Sequence, residues 1–214
     1  MRIVLLHAFP LDERMWAPQL EALEGKDVYA PSLYDLAGNS VEGWAEHVLE
    51  RVAGELVVVG ASLGGYVALA MARTSPDRVA ALLLAGSRAT ADPPERRELR
   101  DRMLDVVREE GIEGWNRAFS PPGPEDRTTE ELVLGIEALR DRRDATEVVT
   151  SFEGALVLVV GEQDDLLPVE EARGIAESAP DGRLEVVEGA GHVVSADAPE
   201  RFNEILLGVL RRVG

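Results

Sequence analysis

The chain has 214 residues, 22 Lys+Arg against 40 Asp+Glu, a formal net charge of −18 and no cysteine. This length suits one globular domain that buries roughly 70% of its unfolded surface, so the core needs no disulfide or metal staple. The lack of cysteine excludes disulfides, thiolate metal sites and a cysteine nucleophile, three histidines leave little for a multi-histidine site, and the negative charge disfavours nucleic acid and anionic membranes as partners.

In chain order, short apolar runs fall at residues 3–6, 28–30, 56–59, 79–85, 156–160 and 184–187. Most are near-continuous Val, Leu and Ile, as expected of parallel strands covered on both faces. Between them, residues 14–23, 41–52, 64–74, 169–178 and 199–212 carry apolar side chains at spacings of three and four, the helical period. This alternation predicts an α/β fold, a doubly wound, mostly parallel sheet of about six strands. The rhythm breaks once, after Ser87. The next sixty or so residues hold Pro93-Pro94, a charged helix at 95–110, an apolar patch at 115–119, a Pro-rich turn at 121–124 and a helix at 130–142. A crossover needs only about a dozen residues, so residues 88–150 are expected to form a helical cap on a core of 1–87 and 151–214. Arg140-Asp141-Arg142-Arg143-Asp144 is expected to be a solvated helix end. All basic residues but Lys26 are arginine, and Asn plus Gln number five. GC-rich coding accounts for that bias, with adaptation to heat or salt as the alternative. Arg2 precedes an apolar run too short for a signal peptide, and no stretch approaches a membrane span, so the expectation is a soluble, cytoplasmic chain.

Chemistry concentrates at the ends of the strand runs. Gly60-Ala61-Ser62-Leu63-Gly64 fits G-x-S-x-G between a strand and a helical pattern. Such an elbow lifts a serine hydroxyl off the sheet in a strained conformation, with glycines where side chains would collide. The helix that follows aims its amide dipoles at developing negative charge. The base must come later in the chain, and His192 in Gly189-Ala190-Gly191-His192 is the one histidine after Ser62. His7 ends the first strand, and His47 is expected to face solvent in mid-helix. The acid must lie between them at a strand end. Among Glu162, Asp164 and Asp165, Asp164 is preferred, Asp165 is the alternative and Glu162 reads as a solvated turn residue. The Leu63 and Phe9 amides are the candidate oxyanion donors, since Pro10 has no N–H to offer.

In these motifs the sequence resembles the α/β-hydrolases of the esterase, enol-lactonase and haloperoxidase-like branch. The segment from Leu6 to Asp12, followed by Arg14-Met15-Trp16, resembles the family's oxyanion segment, and Gly60 to Tyr66 its elbow. Gly161 to Asp164 with Pro168 resembles the acid turn, which favours Asp164 over Asp165. Gly189 to His192 with Pro199-Glu200 resembles the histidine loop and last helix. Two departures stand out. Ala8 replaces the usual glycine, and its Cβ restricts the turn. The chain also starts at the family's third strand, so the fold is expected without the N-terminal hairpin, leaving a sheet edge exposed or covered by a partner. The resemblance implies hydrolysis of a small neutral ester or lactone by Ser62, His192 and Asp164, without metal or organic cofactor, in a monomer or homodimer. Leu11, Tyr66, Trp115, Phe119, Leu166 and Val193, with Phe9, are the candidate pocket residues. Triad-bearing lyases, C–C hydrolases, perhydrolases and non-catalytic receptors of this fold stay open as alternatives.

Overall fold

Alternate residues of the strands face opposite sides of one sheet, and each side has its own core. Val4, Leu6, Leu56 and Val58 join one hydrophobic cluster, while Ile3, Leu5, Val57 and Val59 join the other, the two-residue period of a sheet covered on both faces. The sheet holds β1 (Arg2–Leu6), β2 (Val28–Tyr29), β3 (Leu56–Ala61), β4 (Val79–Ala85), β5 (Ala155–Gly161) and β6 (Gly182–Val187). Their order is β2-β1-β3-β4-β5-β6 and every pair is parallel. The computed structural model describes residues 1–119 and 124–214, so most of the expected Pro-rich turn at 121–124 lies outside the described residues. β3 and β5 are buried along their whole length, whereas the edge strand β6 is mostly half-exposed or exposed.

Helices cover both faces. α1 (Ala17–Ala22) is followed by α2 (Val41–Arg51), α3 (Leu63–Thr74), α4 (Pro94–Ala118), α5 (Thr129–Asp141), α6 (Thr146–Ser151), α7 (Val169–Ser178), α8 (Val194–Asp197) and α9 (Pro199–Val213). Trp44 and Val48 of α2, Val67 and Met71 of α3 and Ala172 of α7 fill one core. Phe202, Ile205 and Leu206 of α9 fill the other, with Trp16 against Phe202. Among the described residues, no helix is long and apolar enough to cross a membrane.

Three elements depart from the sequence pattern. The helix expected at 14–23 is a 3₁₀ turn, Glu13–Trp16, followed by α1 with Pro18 in its first turn. Proline lacks the N–H that would continue the preceding turn but fits a helix start. The charged helix runs on to Ala118 and bends at Gly111, which has φ 61° and ψ −147°, a conformation open to glycine. The apolar patch therefore belongs to its second limb. α6 is too short to show a period.

Strand order reverses between β1 and β3, because the chain first goes to β2 and then crosses back over β1. Loops leaving the carboxyl ends of such a pair diverge and open a crevice. Leu6 is in register with Gly60, so the His7–Pro10 loop and the Ser62 elbow leave the sheet side by side. α4 and α5 pack around Leu104, Val107, Trp115, Leu132 and Ile136, with Phe9 against this cluster.

Candidate active site

Ser62 is the one non-glycine residue with positive φ among the described residues, at φ 47° and ψ −107°. Such a conformation costs about 1–3 kcal/mol and persists only where the surroundings enforce it. They do so closely here. A Cβ on Gly60 would lie 2.4 Å from the Gly64 carbonyl oxygen, across the elbow. One on Gly64 would meet β1 instead, 2.0 Å from the Leu6 carbonyl oxygen, so this glycine permits the close approach of α3 to β1. The Ser62 N–H donates to Ala85 O at 2.7 Å. Buried Ser87 donates from Oγ to the Ser62 carbonyl at 3.0 Å, with Gly65 leaving space for it.

His192 and Asp164 complete a hydrogen-bonded line. His192 Nδ1 lies 2.9 Å from Asp164 Oδ2 and 3.0 Å from Oδ1, and His192 Nε2 lies 3.0 Å from Ser62 Oγ. An ionised carboxylate only accepts, so Nδ1 carries the proton and Nε2 keeps a lone pair toward the serine. Burial of Asp164 acts to raise its pKa, but the hydrogen bond and charge of His192, with the Leu167 and Leu166 amides, outweigh it and hold the carboxyl below its ordinary value. Those amides donate to Oδ1 at 2.9 and 2.8 Å. Asp165 is exposed. Glu162 is exposed too, yet accepts the Gly189 amide at 3.1 Å and so braces the histidine loop. A Cβ on Gly161 would stand 2.1 Å from the Gly191 carbonyl oxygen, which shows how tightly the acid turn seats that loop.

The opposite wall is the loop after β1. Ala8 is buried and is not among the residues with positive φ, so its Cβ brings no left-handed strain. Its amide points to Met15 Sδ at 3.2 Å. The Phe9 and Leu63 amides have no hydrogen-bond acceptor among the described residues. Arg127 fastens this loop to the segment between β4 and β5. It donates to the Pro10 carbonyl at 3.2 Å, pairs with Asp12 and Glu131, and lies over the Tyr34 ring. The side-chain hydrogen bond of Arg14, with help from Arg127 and against burial, holds the Asp12 carboxyl well below the usual range.

His7 fixes the other end of that loop. Nδ1 lies 3.0 Å from the Ala8 carbonyl and Nε2 accepts the Leu33 amide at 2.9 Å, so the ring is the neutral Nδ1–H tautomer. Burial pushes its pKa from 6.5 down to about 4. The folded state therefore binds fewer protons than the unfolded one in that window. Stability is fully present above pH 6.5 and falls as pH drops toward 4, by about 3 kcal/mol from this group. Denaturant unfolding at pH 7 and pH 4 checks this: the loss on acidification should be smaller in His7→Gln than in the parent by about that amount. Equal losses would mean His7 does not titrate with folding. His47 is half-buried rather than solvent-facing, with Nδ1 2.8 Å from the Gly43 carbonyl.

Ser62 and His192 open onto a cavity of about 210 Å³. Phe9, Trp115 and Leu166 line it, while Leu11, Tyr66, Phe119 and Val193 are not among the lining residues. Leu11 packs with the α9-side core, Phe119 stacks behind Trp115 at 5.0 Å, Val193 precedes α8, and Tyr66 lies under the Arg142 guanidinium. The Phe9 ring meets Trp115 edge-on at 5.0 Å and occupies the space a side chain on Gly135 would need. It both walls the cavity and joins α4 and α5 to the sheet. Sequence reading missed Arg96, Leu99, Arg100, Met103 and Leu139 in the lining. The α4 residues among them recur at spacings of three and four, a stripe present in the sequence within what reads there as a charged cap helix. Arg142, expected in a solvated helix end, is buried: it pairs with the fully buried Asp92 at 2.7 Å and donates to the Leu139 and Thr90 carbonyls. A larger cavity of about 670 Å³ lies near the start of β4, around Val79, Glu147 and Phe152, and contains no histidine. Chemistry rather than size selects the smaller one.

The profile of the alpha/beta hydrolase family matches residues 3–205. A protein of Azorhizobium caulinodans named as a carbamate hydrolase is 28% identical, over 90% of this chain and 84% of its own length. A pimeloyl-[acyl-carrier protein] methyl ester esterase of Aromatoleum aromaticum is 28% identical, over 98% of each chain. Among solved structures, a malate-bound thermophilic esterase from Thermogutta terrifontis superposes with a TM-score of 0.89 at 28% identity, covering 100% of this chain and 90% of that one.

Proposed function

Because the chain belongs to the alpha/beta hydrolase family, we propose that it is a serine hydrolase that cleaves small carboxylic esters or lactones through an acyl-enzyme. The observation that carries this reading is the line from Asp164 through His192 to Ser62, ending at a cavity. His192 Nε2 takes the Ser62 proton as Oγ bonds to the acyl carbon. Charge collects on the carbonyl oxygen, to which the Phe9 and Leu63 amides donate. A donor in that role is worth about 2.7–4 kcal/mol of transition-state stabilisation. The C–O bond to the leaving group breaks and His192 returns the proton to that oxygen. Water then loses a proton to His192, attacks the acyl carbon, and releases the acid while Ser62 regains its proton. Asp164 holds the ring in the accepting tautomer and stabilises the imidazolium. α4 and α5 serve as the cap over this site. The cycle calls for no metal or organic cofactor.

A panel of p-nitrophenyl esters of increasing acyl length, with lactones alongside, tests the reading against Ser62→Ala and His192→Ala. The expected result is turnover by the parent that depends on acyl length and falls to background in both variants. No turnover above the Ser62→Ala protein on any member would overturn it in favour of a binding protein of this fold.

A further inference from the structure

Arg96 and Arg100 line the same cavity as Ser62 and His192, and among the described residues no carboxylate side chain lines it with them. Arg96 and Arg100 are one turn apart on α4 and share a face. Arg96 has no carboxylate partner among the described residues; it donates to the Leu166 carbonyl at 3.4 Å. Arg100 lies 3.3 Å from Asp92, but that fully buried carboxylate is shared with buried Arg142 at 2.7 Å. One negative charge thus serves two guanidinium groups, and the cluster keeps a net positive charge behind the cavity wall. Burial works against the Arg100 charge and pulls its pKa below the ordinary arginine value. A half-buried cation left under-compensated is costly unless an anion meets it. In a chain of net charge −18, this local reversal of sign stands out, and the apolar Phe9, Leu99, Met103 and Trp115 around it sharpen any charge pairing by excluding water.

We infer that the site takes esters or lactones that carry a free carboxylate, held by Arg96 and Arg100 while the ester carbonyl meets Ser62. This rests on the serine-hydrolase reading and replaces the neutral substrate expected from overall charge. Guanidinium forks match planar carboxylates in two-point contact. Arg96 and Arg100 are then specificity residues that act through binding.

Two pairs matched in carbon number test the inference. Mono-4-nitrophenyl glutarate against 4-nitrophenyl pentanoate places the charge on the acyl side. Butyryl glycolate against ethyl butyrate places it on the alcohol side. In at least one pair, kcat/KM should favour the anionic member at least tenfold, mainly through KM, and raised salt should erode that preference. Arg96→Gln and Arg100→Gln should each reduce the anionic-to-neutral ratio about tenfold. Arg96 is half-exposed, so its variant stays informative if Arg100→Gln folds poorly. A preference for the neutral member in both pairs, or ratios unchanged in both variants, would overturn the inference while leaving the hydrolase reading intact. If no ester is hydrolysed, the hydrolase reading falls and calorimetric binding of monomethyl glutarate to the Ser62→Ala protein decides alone. Binding weakened tenfold by the Arg96 change supports a carboxylate site, and absent or unaltered binding overturns it.

Discussion

Asp164→Asn should lower kcat for ester hydrolysis by about 10⁴-fold at neutral pH while the protein stays folded. The carboxylate accepts from His192 Nδ1 on both oxygens, which forces the proton onto Nδ1 and leaves Nε2 free toward Ser62. Asparagine can turn its amide N–H toward the ring. Nδ1 would then accept, Nε2 would carry the proton, and the ring could no longer take one from Ser62. The imidazolium formed during acyl transfer would also lose its counter-charge. Asp164→Glu keeps the charge but lengthens a side chain already fixed by the Leu166 and Leu167 amides, so it should recover only part of the rate. Steady-state kinetics beside thermal melts separate a chemical loss from unfolding. Asp165→Asn, changing an exposed neighbour, is the control and should be near parental. Near-parental activity in Asp164→Asn would remove Asp164 from the account.

Arg142→Met should destabilise the fold by about 3–5 kcal/mol at pH 7, the range expected when one partner of a buried ion pair is lost. Asp92 has no exposed side-chain surface and draws on Arg142 at 2.7 Å and Arg100 at 3.3 Å. Burial alone would raise the Asp92 pKa, yet the Arg142 hydrogen bond and charge, with those of Arg100, keep it lowered. In the parent, that contribution is present above the unfolded carboxylate pKa and is lost as pH falls through the folded one. In the variant, burial is less opposed, so the buried carboxylate prefers its proton and acid relieves the defect. The stability gap should therefore be widest near neutrality and narrow as pH falls toward 4. Arg100 stays beside Asp92 in the variant, so the size of the loss due to the Arg142–Asp92 pair itself is read from a double-mutant cycle with Asp92→Asn. A gap that widens in acid, or a cycle with no coupling between Asp92 and Arg142, would contradict a buried ion pair there.

The residues that were legible in the sequence are those fixed by short-range chemistry. Six apolar runs gave the six strands, since a central strand buried on both faces must be apolar throughout. Gly60 to Gly64, Gly161 to Asp164 and Gly189 to His192 each sit at a strand end and carry their own turn chemistry, so Ser62, Asp164 and His192 could be singled out before their distances were known. What stayed hidden depends on how distant segments meet. Arg142 reads as a surface charge until Asp92, fifty residues earlier, is seen beside it. Arg96 and Arg100 read as part of a charged helix until the fold sets that helix against the cavity at Ser62. Leu11, Tyr66 and Val193 neighbour the motifs and Phe119 belongs to the cap's apolar patch, but neither position fixes the direction of a side chain, and none of the four lines the cavity. Gly64 illustrates the limit within a motif: its role lies in the approach of β1, which no local reading contains.

Ser62 Oγ, activated by His192, is the proposed nucleophile. Active-site labelling with a fluorophosphonate, followed by peptide mass spectrometry, tests it most directly. One label per chain on the Ser62 peptide is predicted, with none in Ser62→Ala and labelling slowed by orders of magnitude in His192→Ala. Labelling of another residue, or ester turnover by a protein whose Ser62 never accepts the label, would contradict it.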